Sequence, residues 1–255
     1  MSTRVIKLGG RAQGDPALPA AIAAAARTGD RLCVVHGGGD EVSQLQRQFG
    51  ATPTFLNGRR VTTERDLAVV RMVLSGTVNK RLVGDLLRVG VAAAGVSGED
   101  GALLTCRPVG DDALGAVGEP DSVNPALLDV LIAGGFVPVV SPVGRFGDGR
   151  GCNVNGDDAA AAIASALGAD ELLLVADVPG VLGGDGALIL RLDLEGSAAL
   201  VASGEARGGM IAKLEAARRA LEGGVARVRI GDLSAIGNSD AGTALVTHAA
   251  EWSTR

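Results

Sequence analysis

Two lysines stand where a phosphate could be held. Lys7 lies near the end of a short apolar run and is followed by Leu8, Gly9 and Gly10. Glycines at such a place let the backbone approach a phosphate with no side chain in between. Lys213 follows Gly208-Gly209-Met210-Ile211-Ala212 at the start of a helical pattern. The helix dipole disfavours a cation there, so a nearby anion would account for it. The plainer alternatives are an ordinary turn at Gly9-Gly10 and an exposed helix lysine at Lys213.

Four further clusters carry chemistry. His36-Gly37-Gly38-Gly39 joins a buried-type strand to a helix, an arrangement that binds anions through backbone amides. It lacks the Gly-Lys-Ser/Thr ending of a Walker loop, and Val42 and Gln44 break a dinucleotide fingerprint. His36 is read as ordering the turn. Gly58-Arg59-Arg60-Val61-Thr62 sets two arginines beside a turn. Arginine grips a carboxylate through two parallel hydrogen bonds, although a solvated surface pair fits equally well. In Asn153-Val154-Asn155-Gly156-Asp157-Asp158 helix capping explains one asparagine and leaves the other to recognise an amide or carboxylate. Ala176-Asp177-Val178-Pro179-Gly180 closes an apolar strand with a polar turn. Phosphoryl transfer requires chiefly positioning and positive charge on the moving group, which this set supplies.

The elements that must position these residues alternate. Strand patterns at Val5–Leu8, Leu32–Val35, Val91–Val96, Leu103–Cys106, Phe136–Ser141, Leu172–Ala176 and Val225–Ile230 are separated by helical patterns. Helices are expected at Pro19–Arg27, Asp40–Phe49, Glu64–Val89, Pro125–Ala133, Asp157–Leu167 and Met210–Glu222, and a hairpin arm at Ala187–Leu192. Such alternation predicts an α/β fold with a mostly parallel sheet, whose ligands bind beyond the carboxyl ends of the strands. Arg107–Ser122 and Gly144–Gly151 are turn-rich and read as loops. A soft boundary near Pro142–Gly151 divides the 255-residue domain into lobes of 1–145 and 146–255.

Composition excludes other classes. The apolar fraction is 47% and the charged fraction 21%, as in globular domains. Aromatic residues make up 2%, and four Phe with Trp252 are too few for a base-stacking platform. A net charge of −5 also argues against nucleic acid. No apolar stretch approaches the roughly 20 residues that span a bilayer, and the N-terminus is unlike a signal peptide. Cys33, Cys106 and Cys152 show no metal-ligand or disulfide spacing. The first two read as buried and Cys152 as exposed, and a cytoplasmic location without membrane or nucleic-acid partners is expected.

In order, these motifs resemble the amino acid kinase family. Val78-Asn79-Lys80, Ser97-Gly98-Glu99-Asp100-Gly101 and Val123-Asn124-Pro125 join those above, so the match runs from about Val5 to Ile230. Within the family they are most similar to members that phosphorylate the side-chain carboxylate of N-acetyl-L-glutamate. The resemblance implies a three-layer αβα sandwich, a homodimer built on the Glu64–Val89 helix, ATP with Mg2+ bound through the nucleotide, no protein metal site, and an acyl phosphate product. It implies that Lys7 and Lys213 stabilise the moving phosphoryl group and that Asp157 holds both lysines. Gly37, Gly38, Arg60, Asn153 and Asn155 would bind the acceptor, and Gly9, Gly10, Asp177, Gly180, Gly209 and Met210 the nucleotide side.

The match has departures: Arg11 after Gly9-Gly10, Ala176 before Asp177, Gly156 where alanine is usual, and a compressed stretch after Ile230 in place of a helix. The few residues before the first strand suggest a dimer without strong feedback by arginine. Rival readings are a kinase acting on carrier-bound aminoadipate, and a non-catalytic amino-acid or nucleotide sensor on the same fold.

Overall fold

The computed structural model describes residues 2–110 and 112–247; Trp252 lies outside them. The chain begins with β1 (Thr3–Leu8), α1 (Leu18–Arg27), β2 (Arg31–His36), α2 (Gly39–Gln48) and the two-residue strands β3 (Phe55–Leu56) and β4 (Arg59–Arg60). It continues through α3 (Glu64–Val70), α4 (Asn79–Arg88), β5 (Ala93–Ser97), β6 (Leu104–Pro108), β7 (Val117–Val123), α5 (Ala126–Ala133), β8 (Val137–Ser141), β9 (Val143–Phe146) and β10 (Gly151–Val154). The rest comprises α6 (Gly156–Ala166), β11 (Glu171–Val175), β12 (Arg191–Asp193), α7 (Leu194–Ala202), α8 (Gly209–Glu222), β13 (Arg227–Gly231) and β14 (Thr243–Val246).

Eight strands form one sheet in the order β12-β14-β13-β11-β1-β2-β8-β5, parallel except where β13 meets β14. The central strands are apolar on both faces because both faces are covered. Val5, Cys33, Val35, Val140, Leu172 and Leu174 pack on the side of α6 and α8. Ile6, Leu8, Val34, Val139, Leu173 and Val175 pack on the side of α1 and α4. The fold is therefore the expected three-layer αβα sandwich. In register, Leu8 lies beside both His36 and Val175. The turns after β1, β2 and β11 are thus neighbours in space although far apart in sequence.

Three sequence expectations change. The Glu64–Val89 pattern is helical throughout, but a π-helical stretch, Arg71–Val78, separates α3 from α4. It begins beyond the capping box that Thr63 and Asp66 build at the start of α3. The stretch sets Leu74 and Val78 against Gly38, whose φ is +142° and where a Cβ would stand 2.8 Å from Leu74 Cδ2. Only glycine meets both conditions.

The second change concerns the turn-rich segments. Arg107–Ser122 contains most of β7, and Gly144–Gly151 supplies most of β9; with β6 and β10 they close a four-stranded barrel. Gly118 and Pro120 disguise β7 as a loop, but its partners hold it extended. Cys152 is fully buried in this barrel, close to Cys106, rather than exposed. The third change is at Ala187–Leu192, where only Leu188 forms a hairpin bridge, to Leu182, and the strand itself begins at Arg191 and pairs with β14. After Ile230 the chain makes a 3-10 turn, Leu233–Ile236, and then β14. Among the described residues no helix is long and apolar enough to cross a membrane.

Candidate functional site

The first turn of α6 is the centre of the site. Asn155 caps it, its Oδ1 accepting from the backbone N–H groups of Asp157 at 2.8 Å and Asp158 at 3.3 Å. Negative side chains in that turn complement the helix dipole. Asp157, 5% exposed, accepts from Lys7 Nζ at 2.8 Å and from Lys213 Nζ at 3.1 Å. Two lysines, one on β1 and one on α8, therefore meet on a single carboxylate. Burial by itself would raise the Asp157 pKa, but the two ammonium groups overcome it and hold the carboxyl below its usual value. Burial, and then the charge of Lys7, pull Lys213 below the ordinary lysine value while Asp157 opposes them. One positive charge is left over at this end of the site, which suits a polyphosphate.

Gly156 leaves room for this cluster. A Cβ there would stand 3.2 Å from Lys7 Cε, and Gly156 also lines the neighbouring cleft. That cleft encloses about 170 Å3 between the glycine turn after β2, the β3–β4 hairpin and the β10–α6 junction. Its walls include Gly37, Gly38, Arg60, Asn153 and Asn155, all five expected acceptor residues. Asn153 donates through Nδ2 to Thr62 Oγ1 at 3.1 Å, which fixes its orientation. Thr62 is fully buried.

Arg60 is 8% exposed and stacks on the Phe55 ring, 4.8 Å from its centroid. Its guanidinium donates to Gln46 Oε1, to the Gly39 carbonyl oxygen and to Ser43 Oγ, all of them neutral acceptors. Gln46 in turn donates to Asp66 Oδ1 at 2.6 Å. No carboxylate lies within ion-pair distance of Arg60 among the described residues. A buried cation held only by neutral oxygens can take a carboxylate from a ligand.

His36 orders the glycine turn. Its Nδ1 lies 2.8 Å from the Gly37 carbonyl oxygen and its Nε2 3.2 Å from Asn79 Nδ2. Burial pushes its pKa down to about 4, so the ring is neutral near pH 7 and is already engaged on both nitrogens. It offers no base for catalysis.

The expected nucleotide residues lie after β1, after β11 and at the start of α8, outside this cleft. The Gly9 N–H is spent on the Val175 carbonyl oxygen at 3.0 Å, and a Cβ there would stand 2.9 Å from that oxygen. Gly10 faces open space. Asp177 lies 3.6 Å from Nε of Arg11, which is largely exposed. Gly180 is packed against Leu188 and Thr243, where a Cβ would come within 2.6 Å of each. Gly209 and Met210 open α8 ahead of Lys213. A larger hollow, about 490 Å3, opens at the opposite end of β2, β5 and β8 and contains none of these residues.

Sequence reasoning passed over Ser43, Gln46, Phe55 and Asp158. Only Asp158 carried a signal, its place beside Asp157; the others acquire meaning through partners remote in sequence.

A family model described as the amino acid kinase family matches residues 2–232. Acetylglutamate kinase from Rubrobacter xylanophilus is 46% identical over 88% of this chain and 87% of its own length. Acetylglutamate kinase from Jannaschia sp. is 44% identical over 87% and 79% respectively. Among solved structures, smu.665 from Streptococcus mutans superposes with a TM-score of 0.88 at 28% identity, covering 96% of this chain and 99% of its own. N-acetylglutamate synthase from Neisseria gonorrhoeae, solved with coenzyme A and L-arginine, gives 0.83 at 27% identity; this chain is matched over 97% of its length but spans 62% of that one. With the motifs in order, the strands in register and relatives matching along nearly the whole chain, the protein belongs to the amino acid kinase family.

Proposed function

We propose that this chain transfers the γ-phosphoryl group of ATP to the side-chain carboxylate of N-acetyl-L-glutamate, forming an acyl phosphate and ADP. The observation that carries the reading is the pairing of two unlike cationic regions on one wall. Lys7 and Lys213 meet on Asp157, and Gly156, where an added Cβ would press on the Lys7 stem, also lines the cleft that holds Arg60. The relatives named acetylglutamate kinase support the choice of acceptor.

A carboxylate is ionised at neutral pH and needs no base to become a nucleophile. One of its oxygens bonds to the γ-phosphorus as the bond to the bridging oxygen of the β-phosphate breaks, and ADP leaves with the electron pair. Lys7 and Lys213 stabilise the charge that spreads over the phosphoryl oxygens, and Asp157 holds them in place. Arg60 takes the acceptor's other carboxylate and Asn153 its remaining polar groups. Gly9, Gly10, Asp177, Gly180, Gly209 and Met210 border the nucleotide. Mg2+ would ride on the nucleotide's phosphate oxygens and neutralise part of their charge.

The assembly we propose is a homodimer built on the α3–α4 helix, whose surface exposes Met72 and Leu87. Light scattering checks it, and a monomer at micromolar concentration would dismiss it. The reaction is tested by coupled ADP release with N-acetylglutamate, glutamate, aspartate and carbamate, trapping acyl phosphate with hydroxylamine. Hydroxamate formation with N-acetylglutamate in clear preference to the other three is the expected result. Turnover with a different acceptor, or ADP release without hydroxamate, would overturn it.

A further inference from the structure

The glycine turn after β1 is held by a side chain that the proposed reaction leaves without a task. After Gly9 and Gly10 the chain makes a 3-10 turn, Ala12–Gly14, which brings Gln13 back to the glycines. Gln13 is 4% exposed. Its Nε2 donates to two successive backbone carbonyl oxygens, those of Leu8 at 3.3 Å and Gly9 at 3.2 Å. The Leu8 oxygen also accepts from the Gly37 N–H at 3.3 Å, so the turns after β1 and β2 are joined there. With the amide reversed, Oε1 would face two carbonyl oxygens and be repelled. In the structure Oε1 is buried and has no hydrogen-bond partner.

Peptide geometry turns this grip into a direction. A trans peptide carries its C=O and N–H on opposite sides, and no described peptide is cis. The Leu8–Gly9 unit is held at both ends, its oxygen by Gln13 and Gly37 and its N–H by the Val175 carbonyl oxygen at 3.0 Å. The Gly9–Gly10 unit is held by Gln13 at its oxygen, so its N–H, that of Gly10, points the other way. Among the described residues that N–H has no partner; Gly10 is exposed, and a Cβ on it would meet nothing within 4 Å. Both carbonyl oxygens, whose negative ends would repel a phosphate, are thus engaged, while one donor faces open space. A purely space-filling role would be served by an apolar side chain, without the cost of burying an unpaired Oε1.

We propose that Gln13 is a positioning residue for the nucleotide: by holding the Leu8 and Gly9 carbonyl oxygens it aims the Gly10 N–H at a phosphate oxygen of ATP. Gln13 itself touches no substrate. Lys7 stands on the strand that ends at this turn, so the aimed donor and the lysine pair on Asp157 address one polyphosphate chain. The inference rests on the reading above that places the nucleotide beside Gly9 and Gly10.

The test measures kcat, KM for ATP and KM for N-acetylglutamate in the full chain. Gln13→Met fills the same space without a donor. It is expected to lower kcat about tenfold and to raise KM for ATP about threefold, less than the loss of a preorganised donor outright, because Gly10 keeps its N–H. KM for N-acetylglutamate should stay within about twofold. Gln13→Glu sets a carboxylate against the same two carbonyl oxygens and should lower kcat/KM for ATP about 10²-fold at pH 8. Its protonated form carries an O–H that can donate in place of Nε2. Activity relative to wild type should therefore recover as pH is lowered from 8 to 6, through a carboxyl pKa that burial raises. This variant carries the test alone if Gln13→Met does not fold. A Gln13→Glu protein that shows no recovery overturns the role, as does a Gln13→Met protein with wild-type kcat and KM for ATP, or with equal rises in both KM values. If wild type binds ATP by titration calorimetry and the variants match it, only the role of Gln13 falls. If wild type does not bind ATP, the nucleotide reading falls as well.

Discussion

The two cationic regions of the site are built on opposite plans. At the phosphoryl end, Lys7 and Lys213 are held by Asp157, so their positions are fixed by ion pairs within the fold. At the acceptor end, Arg60 is held by a carbonyl, a hydroxyl and an amide oxygen, and keeps its whole charge for a partner. The difference teaches what each region is prepared for. A group in transit has no lasting contact with the protein, so the donors that meet it must be in place beforehand. A bound carboxylate stays for the whole cycle and can itself be the counter-ion.

The contrast can be broken first at the phosphoryl end. Lys7→Met and Lys213→Met are each expected to lower kcat by about 10²–10³-fold, the loss seen when one preorganised donor is removed. Thermal unfolding should shift little by comparison. Asp157→Asn should lower kcat to a similar degree and also reduce Tm, because it leaves two buried ammonium groups facing each other. A steady-state assay beside a melting curve checks all three; near-normal kcat in either lysine variant would remove that lysine from the chemistry.

At the acceptor end the parameter that moves should be different. Arg60→Lys is expected to raise KM for N-acetylglutamate about 10–100-fold, the worth of a charged hydrogen bond of about 1.5–3 kcal/mol, and KM for ATP far less. An effect confined to ATP would reverse the assignment of the two ends.

His36 sharpens the comparison through pH. Its pKa is pushed from 6.5 down to about 4 in the folded chain, so below pH 6.5 the unfolded chain takes up a proton that the folded chain refuses. Its contribution is therefore complete above pH 6.5 and is lost as pH falls toward 4, about 2 kcal/mol of it by pH 5. Urea midpoints at pH 7.5 and pH 5 should separate widely in wild type and less in His36→Gln. Equal separation in the two proteins would show that other groups account for the acid sensitivity.

The smallest effect is expected from Gly156→Ala. Its Cβ would press on Lys7 Cε from 3.2 Å, a shift of a few tenths of an ångström that the flexible lysine stem can absorb. A reduction of kcat by about two- to fivefold, with acceptor KM nearly unchanged, is the outcome to look for. A loss as large as that of Lys7→Met would mean that the lysine is held far more rigidly than its single ion pair implies.

Some of this was written in the chain itself. The apolar runs at Leu32–Val35 and Leu172–Val175 are too continuous for a half-exposed strand, and they announce a sheet covered on both faces. Asn155 before Asp157 and Asp158 marks a helix start because capping is local, reaching only two or three residues ahead. The glycine turns and the two lysines could be placed at strand ends for the same reason: each is defined by its immediate neighbours.

The tertiary structure alone decided the remainder. The barrel of β6, β7, β9 and β10 escaped notice because its strands are short and interrupted by glycine and proline, and their extended shape comes from pairing with one another. Thr62 meets Asn153 across 91 residues and Arg59 meets Asp158 across 99. A periodicity argument covers one element at a time, so it cannot say which of two adjacent arginines faces α2 and which faces α6. That is settled when the hairpin docks against both helices, where burial makes an unpaired polar group expensive and each charge must find its place.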